Sequence, residues 1–146
     1  QVLERNNVQI KEILRKIGNR IKNIHDSTIT IWGLSFKAGT DDIRNSSSIR
    51  LIEELSKRKA KIKIFDPVAK IDSSVLKNFE VFQDPYLAVD HSDMLIIMTE
   101  WNQFLELDYS KVFKIMKNKN IVDARNLLDY SLLKSLGFHY TGIGVT

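Results

Sequence analysis

The sequence predicts an α/β fold, a Rossmann-like parallel sheet with helices on both faces, preceded by a long N-terminal helix. Three observations carry that expectation. From Thr28 onward, short runs of β-formers alternate with helical stretches, as in parallel strands joined by crossover helices. The run "MLIIM" at 94–98 is apolar at every position, as a strand covered on both faces must be. Before them, Val8, Ile10, Ile13, Leu14, Ile17, Ile21 and Ile24 recur mostly at steps of three and four, the spacing of one helix face.

The elements follow in order. One amphipathic helix is expected over residues 2–24, its other face rich in Arg, Lys and Asn, so it must pack on the body of the domain or on another chain. Strands are expected at 28–32, 61–65, 94–98 and 120–122, a weaker one at 80–82 and a terminal one at 139–141. Helices are expected at 48–59, 73–78, 85–89, 109–117 and 129–135. The crossovers should be right-handed. No internal repeat, low-complexity segment or Pro/Gly linker interrupts the chain from residue 28 onward.

Composition narrows the function classes. A chain of 146 residues with 43% hydrophobic content can bury a core without staples. It has no cysteine, which removes disulfides, Cys-based zinc sites and a thiol nucleophile, and fits a reducing compartment. Its longest apolar run is five residues, far short of a membrane span, and the charged amphipathic start is unlike a signal peptide. Because the sequence opens on Gln1, a piece cut from a longer protein is expected. The net charge of +4 suits an anionic ligand, but the lysines are spread out between apolar positions, which disfavours a nucleic-acid patch.

In a parallel α/β sheet, ligands sit outside the carboxyl ends of the strands. Four segments fall there: 33–47, 66–70, 99–107 and 123–129. The first, "GLSFKAGTDDIRNSS", lacks the G-x-G-x-x-G spacing of a dinucleotide cradle and is longer than a strand-to-helix turn needs. Lys37 and Arg44 offer cations to an anion there; a surface loop with locally cancelling charges accounts for it equally well. Asp66 in "FDP" could hold a ribose hydroxyl, but Asp-Pro is more often a turn pair. Trp101 and Phe104 after the apolar strand fit a core cap better than a lid. Arg125 in "DARNLLD" is placed to fork onto a phosphate or carboxylate, against the plainer reading of a surface pair with Asp123. The three histidines are far apart and show no metal spacing, and no nucleophile–base constellation stands out. The residues describe a binding domain rather than a complete catalyst.

Taken together, "GLSFKAGTDDIRNSSSI", "IFDP", "TEW" with Phe104 three residues on, and "DARNLLD", in that order, resemble the C-terminal domain of the UDP-glucose/GDP-mannose dehydrogenases. The resemblance covers residues 28–146, and residues 1–26 resemble the end of that family's central linking helix, leaving 27–146 as the nucleotide-sugar (UDP) binding domain. It implies an NAD-dependent oxidation of a sugar C6 alcohol to a carboxylate, with the nucleophilic cysteine and the NAD domain lying outside this chain, so no catalytic residue is assigned within it. Position by position, the resemblance implies that Phe36, Lys37 and Arg125 contact the nucleotide-sugar and that Arg44 reaches toward NAD. Asp41, Asp42 and Ser46 to Ser48 would shape the loop. Ala38-Gly39, where many UDP-glucose members carry a proline, leans toward the GDP-mannose branch; "TEW" and "DARNLLD" lean toward UDP-sugars. The resemblance further implies a UDP-sugar partner, a homodimer in the full-length protein, a cytoplasmic location and a place in polysaccharide biosynthesis, with neither nucleic acid nor membrane as partner. The alternatives are a GDP-mannose or UDP-N-acetylhexosamine dehydrogenase fragment, or a stand-alone nucleotide-binding module.

Overall fold

The computed structural model describes residues 2–34, 47–69 and 79–144. Six parallel strands form one sheet: β1 (Thr28–Trp32), β2 (Lys61–Phe65), β3 (Phe79–Phe82), β4 (Met94–Ile97), β5 (Asn120–Asp123) and β6 (His139–Gly142). Their order is β3-β2-β1-β4-β5-β6, so the chain reverses its direction of travel across the sheet between β1 and β4. That reversal opens the crevice in which doubly wound sheets place ligands.

The helices are α1 (Val2–Arg20), α2 (Ser47–Lys57), α3 (Pro85–Val89), α4 (Tyr109–Ile115) and α5 (Tyr130–Leu136), with a 3-10 turn at Asn102–Leu105 that the sequence pattern did not announce. Asp84, Asp108 and Asp129 each cap the helix that follows, their carboxylates accepting from backbone N–H groups of the first turn. The first helix ends at Arg20 rather than running to residue 24, although Ile21 and Ile24 still pack against the core. The helix expected at 73–78 lies outside the described residues.

Strand order decides which face each helix covers. Right-handed crossovers that step one way across a sheet lie on one face, and those that step the other way lie on the opposite face. Accordingly α2 packs on one face with Ile29, Ile31, Ile62 and Ile64, through Leu51, Ile52 and Leu55. On the other face, α3, α4 and α5 bury Ala88, Val89, Tyr109, Val112 and Leu133 against Trp32, Phe65, Leu95, Ile97 and Tyr140. This arrangement leaves the α2 face of β4 to β6 without a crossover helix. The first helix fills it. Ile10, Ile13 and Ile17 of α1 are buried in the same cluster as Met94, Ile96 and Val122, each contributing about 1.5–3 kcal/mol of burial.

Polar ties fix α1 in register. Gln9 Nε2 donates to the Ala124 carbonyl (3.1 Å), and buried Lys16 donates to Thr141 Oγ1 (2.9 Å) and to the Gly142 carbonyl. The Gly144 N–H donates to Glu12 Oε2 (2.9 Å). Gln9 in the middle of α1 therefore lies just past the carboxyl end of β5 and Arg20 beside its first residue, Asn120, so the helix runs antiparallel to the strands.

Candidate functional site

The strands end in a row of short segments, and each is held by a polar residue at the strand end. After β1, Gly33 has φ +106° and its N–H donates to the Phe65 carbonyl (2.8 Å). A Cβ at this position would lie 2.1 Å from Thr99 Oγ1 and 2.8 Å from the Thr99 backbone nitrogen. Glycine is required because the segment leaving β4 passes directly over it. At the first turn of α2, buried Ser48 donates from Oγ to the Gly33 carbonyl (2.6 Å), which ties that helix to the end of β1.

After β2, Asp66 accepts from Val68 and Ala69 N–H groups through Oδ1 (2.8 and 2.6 Å) and from the Leu34 N–H through Oδ2 (2.7 Å). It is a turn-builder that joins the ends of β1 and β2. A dinucleotide cradle at this crevice would need closely spaced glycines for the pyrophosphate and a free acid for the ribose. The described residues do not fit one: Gly33 is filled by Thr99, and both Asp66 oxygens bind backbone.

After β4, Phe104 is fully buried, stacking on Trp32 with ring centroids 5.3 Å apart and meeting Phe65 edge-on at 6.3 Å. Trp101 is half-buried against the same cluster. These aromatics cap the core. Three buried polar atoms here, Trp32 Nε1, Thr99 Oγ1 and Trp101 Nε1, have no hydrogen-bond partner among the described residues.

After β5, Asp123 is fully buried and organises the segment that follows. Its Oδ1 accepts from the Arg125 N–H (3.1 Å), and its Oδ2 from the N–H groups of Leu127 (2.9 Å) and Leu128 (2.8 Å) and from the Tyr140 hydroxyl (2.7 Å). Burial and this bond to the carboxylate push the Tyr140 phenol well above its ordinary range; burial does the same for Tyr109. With Asp123 turned inward, the Arg125 guanidinium points elsewhere. It pairs with Glu100, Nη2 to Oε1 at 3.0 Å, across the ends of β4 and β5. The surface partner of Arg125 is thus Glu100, not Asp123.

Arg125 therefore stands on the carboxyl edge, about one-third exposed, with a backbone anchored by a buried acid. A planar guanidinium so placed can fork onto a phosphate or a carboxylate. Phe36, Lys37 and Arg44 lie outside the described residues, between the fixed ends at Leu34 and Ser47. Among the described residues no cluster of three or more His, Cys, Asp or Glu is placed to hold a metal ion. Also among them, no helix is long and apolar enough to cross a membrane. Sequence reasoning missed Glu100, Thr99 and Tyr140. The first two depend on β4 lying next to both β1 and β5, which no local pattern reveals.

Comparison with known proteins places this edge in a family. The pattern of the UDP-glucose/GDP-mannose dehydrogenase family, UDP binding domain, matches residues 30–130. A UDP-glucose 6-dehydrogenase of Pseudomonas aeruginosa is 36% identical over 124 residues, covering 80% of this chain and 27% of that protein. One of Rickettsia prowazekii is 32% identical over 147 residues, 98% of this chain and 34% of that protein. The solved UDP-glucose dehydrogenase of Pyrobaculum islandicum superposes with a TM-score of 0.71 at 25% identity, covering 83% of this chain and 27% of that one. The chain spans about a third of the length of the curated relatives it matches. By its match over 30–130 and by its strand order, the chain belongs to the UDP-glucose/GDP-mannose dehydrogenase family, as its C-terminal domain.

Proposed function

We propose that this chain is the nucleotide-sugar-binding part of an NAD-dependent UDP-sugar 6-dehydrogenase, and that its carboxyl edge holds the substrate diphosphate. The observation that carries this reading is Arg125, presented at the end of β5 by the buried Asp123 network in a chain of this family. Phe36 and Lys37 complete the nucleotide-sugar contact from the β1–α2 segment, and Arg44 reaches the NAD side of the cleft. NAD supplies hydride acceptance and is held by a domain upstream, together with the catalytic nucleophile. Residues 1–26 are then the end of the helix linking the two domains and 27–146 the UDP-binding domain, in a cytoplasmic homodimer that feeds polysaccharide biosynthesis.

Parallel titrations with UDP and GDP, followed by calorimetry and by amide chemical shifts, test the reading. UDP should shift residues 33–47, 99–101 and 123–129, bind more tightly than GDP, and lose most of its affinity in Arg125→Ala. Shifts confined to the opposite edge of the sheet, or affinity unchanged by Arg125→Ala, would sink it.

A further inference from the structure

At the amino edge of the sheet, opposite the site above, cations that are scattered in sequence converge. In a parallel α/β fold every helix end and every strand start lies on that one edge. A cavity of about 620 Å³ opens there, lined by Arg20, Lys22, Lys119, His25 and His139 among others. Its floor is built. Asn120 Oδ1 accepts from Arg20 Nε (3.0 Å) while Asn120 Nδ2 donates to the Asp93 carbonyl (3.0 Å).

The two acids of the cavity are already engaged. Asp93 accepts from the Thr28 N–H (2.9 Å) and from Asn118 Nδ2 (2.7 Å), and Asp26 lies 3.0 Å from His25 Nδ1. None of the ion pairs among the described residues involves Arg20, Lys22 or Lys119. A cation closing α1, as Arg20 does, offsets that helix's dipole and needs no ligand. Lys119 Nζ gives one proton to the Met116 carbonyl just past the end of α4 and lies 4.8 Å from the Phe113 ring centroid, which leaves two of its protons for a ligand. Lys22 lies beyond the end of α1, where the dipole explanation does not reach.

We propose that this cavity is a second anion site, which takes a small phosphorylated ligand by its phosphate groups, independently of the nucleotide-sugar edge. Its volume falls within the few hundred to a thousand Å³ of small-molecule sites. Apart from the two imidazoles it offers no aromatic ring to stack a base, so a nucleoside adds nothing to recognition there. The His139 imidazole reports on the site. Burial, then Arg20 and Lys134, hold its pKa below the ordinary value, and Arg15, Lys16 and Glu12 border the ring on its other side. A bound anion favours the imidazolium and must raise that pKa.

The test is a titration of the chain with inorganic pyrophosphate, and separately with UDP, read by amide shifts and by the His139 ring resonances across pH. Pyrophosphate should shift Arg20, Lys22, Lys119 and His139 and raise the His139 pKa. The double variant Arg20→Gln/Lys22→Gln, and independently Lys119→Gln, should weaken pyrophosphate by about tenfold or more while UDP shifts at Arg125 persist. UDP should bind this cavity no tighter than pyrophosphate does. The proposal is overturned by an unmoved His139 pKa, by equal affinity in both variants, or by pyrophosphate shifts confined to the Arg125 edge.

Discussion

Arg125 and Glu100 meet at 3.0 Å across the ends of β5 and β4, so the guanidinium proposed to hold the diphosphate is already partnered by a carboxylate. Both side chains are substantially exposed, and such a pair is worth only about 0–1 kcal/mol. A diphosphate, which brings more charge and a better fork, can displace it. Glu100→Gln should therefore tighten UDP by up to about fivefold, the equivalent of that pair energy. Arg125→Ala should weaken it far more. Calorimetric titration of both variants checks the sign; weaker UDP binding in Glu100→Gln would show that Glu100 positions Arg125 instead of competing for it.

Gly33→Ala should be among the most damaging single substitutions in the chain. The new methyl would meet Thr99 Oγ1 at 2.1 Å in a backbone conformation that L side chains rarely adopt. Strain and overpacking together amount to about 2–5 kcal/mol. Adding Thr99→Ala should recover part of the loss, because the Oγ1 clash goes while the approaches to the Thr99 nitrogen at 2.8 Å and to its Cβ at 2.9 Å stay. Urea unfolding of the single and double variants measures both.

Stability should fall in alkali. The phenols of Tyr140 and Tyr109 are raised in the folded chain, mainly by burial and, for Tyr140, also by its bond to Asp123. A group that is raised on folding contributes stability that is complete below its unfolded value, near 10 for tyrosine, and is lost as pH climbs above it. Thermal melts from pH 8 to 12 should show that decline. Tyr140→Phe should flatten it, at a neutral-pH loss of about 1–3 kcal/mol for the bond to the carboxylate.

The first helix should count as core, not as an appendage. Ile13 of α1 and Ile31 of β1 are both fully buried in one cluster. Ile13→Ala and Ile31→Ala should each cost about 2–5 kcal/mol and unfold in one transition with an unchanged denaturant slope. A separate early transition in Ile13→Ala would mean that α1 undocks alone.

The strands were legible because both-face burial writes itself as an unbroken apolar run, and "MLIIM" has no other economical reading in a chain this size. Asp84, Asp108 and Asp129 also mark helix starts, their carboxylates sitting just ahead of a free N–H, a signal that the apolar spacing used for 129–135 passed over when it took Asp129 into the helix. Asp123 was misjudged. An acid whose oxygens bind N–H groups two, four and five residues later is a local turn, and "DARNLL" carried that signal beside the more obvious charge pair. The Glu100–Arg125 pair spans 25 positions and exists because β4 and β5 are neighbours, a fact of topology. Lys22 and Lys119, far apart in the chain, line one cavity for the same reason: parallel strands align their starts on one edge.

The docking of α1 also sets a timetable. Its ties run from Gln9 to Ala124, from Lys16 to Gly142 and from Glu12 to Gly144, separations of 115, 126 and 132 residues. Contacts this distant form late, because the loop they close must first be organised. At about 5–20 residues per second, a ribosome needs roughly 6–25 s to deliver the rest of the chain after α1 emerges. For that interval Ile10, Ile13 and Ile17 wait for the β4 and β5 residues they pack on, Met94, Ile96 and Val122. The nascent chain therefore carries a greasy helix in waiting, and the length of that wait is fixed by which strands come last.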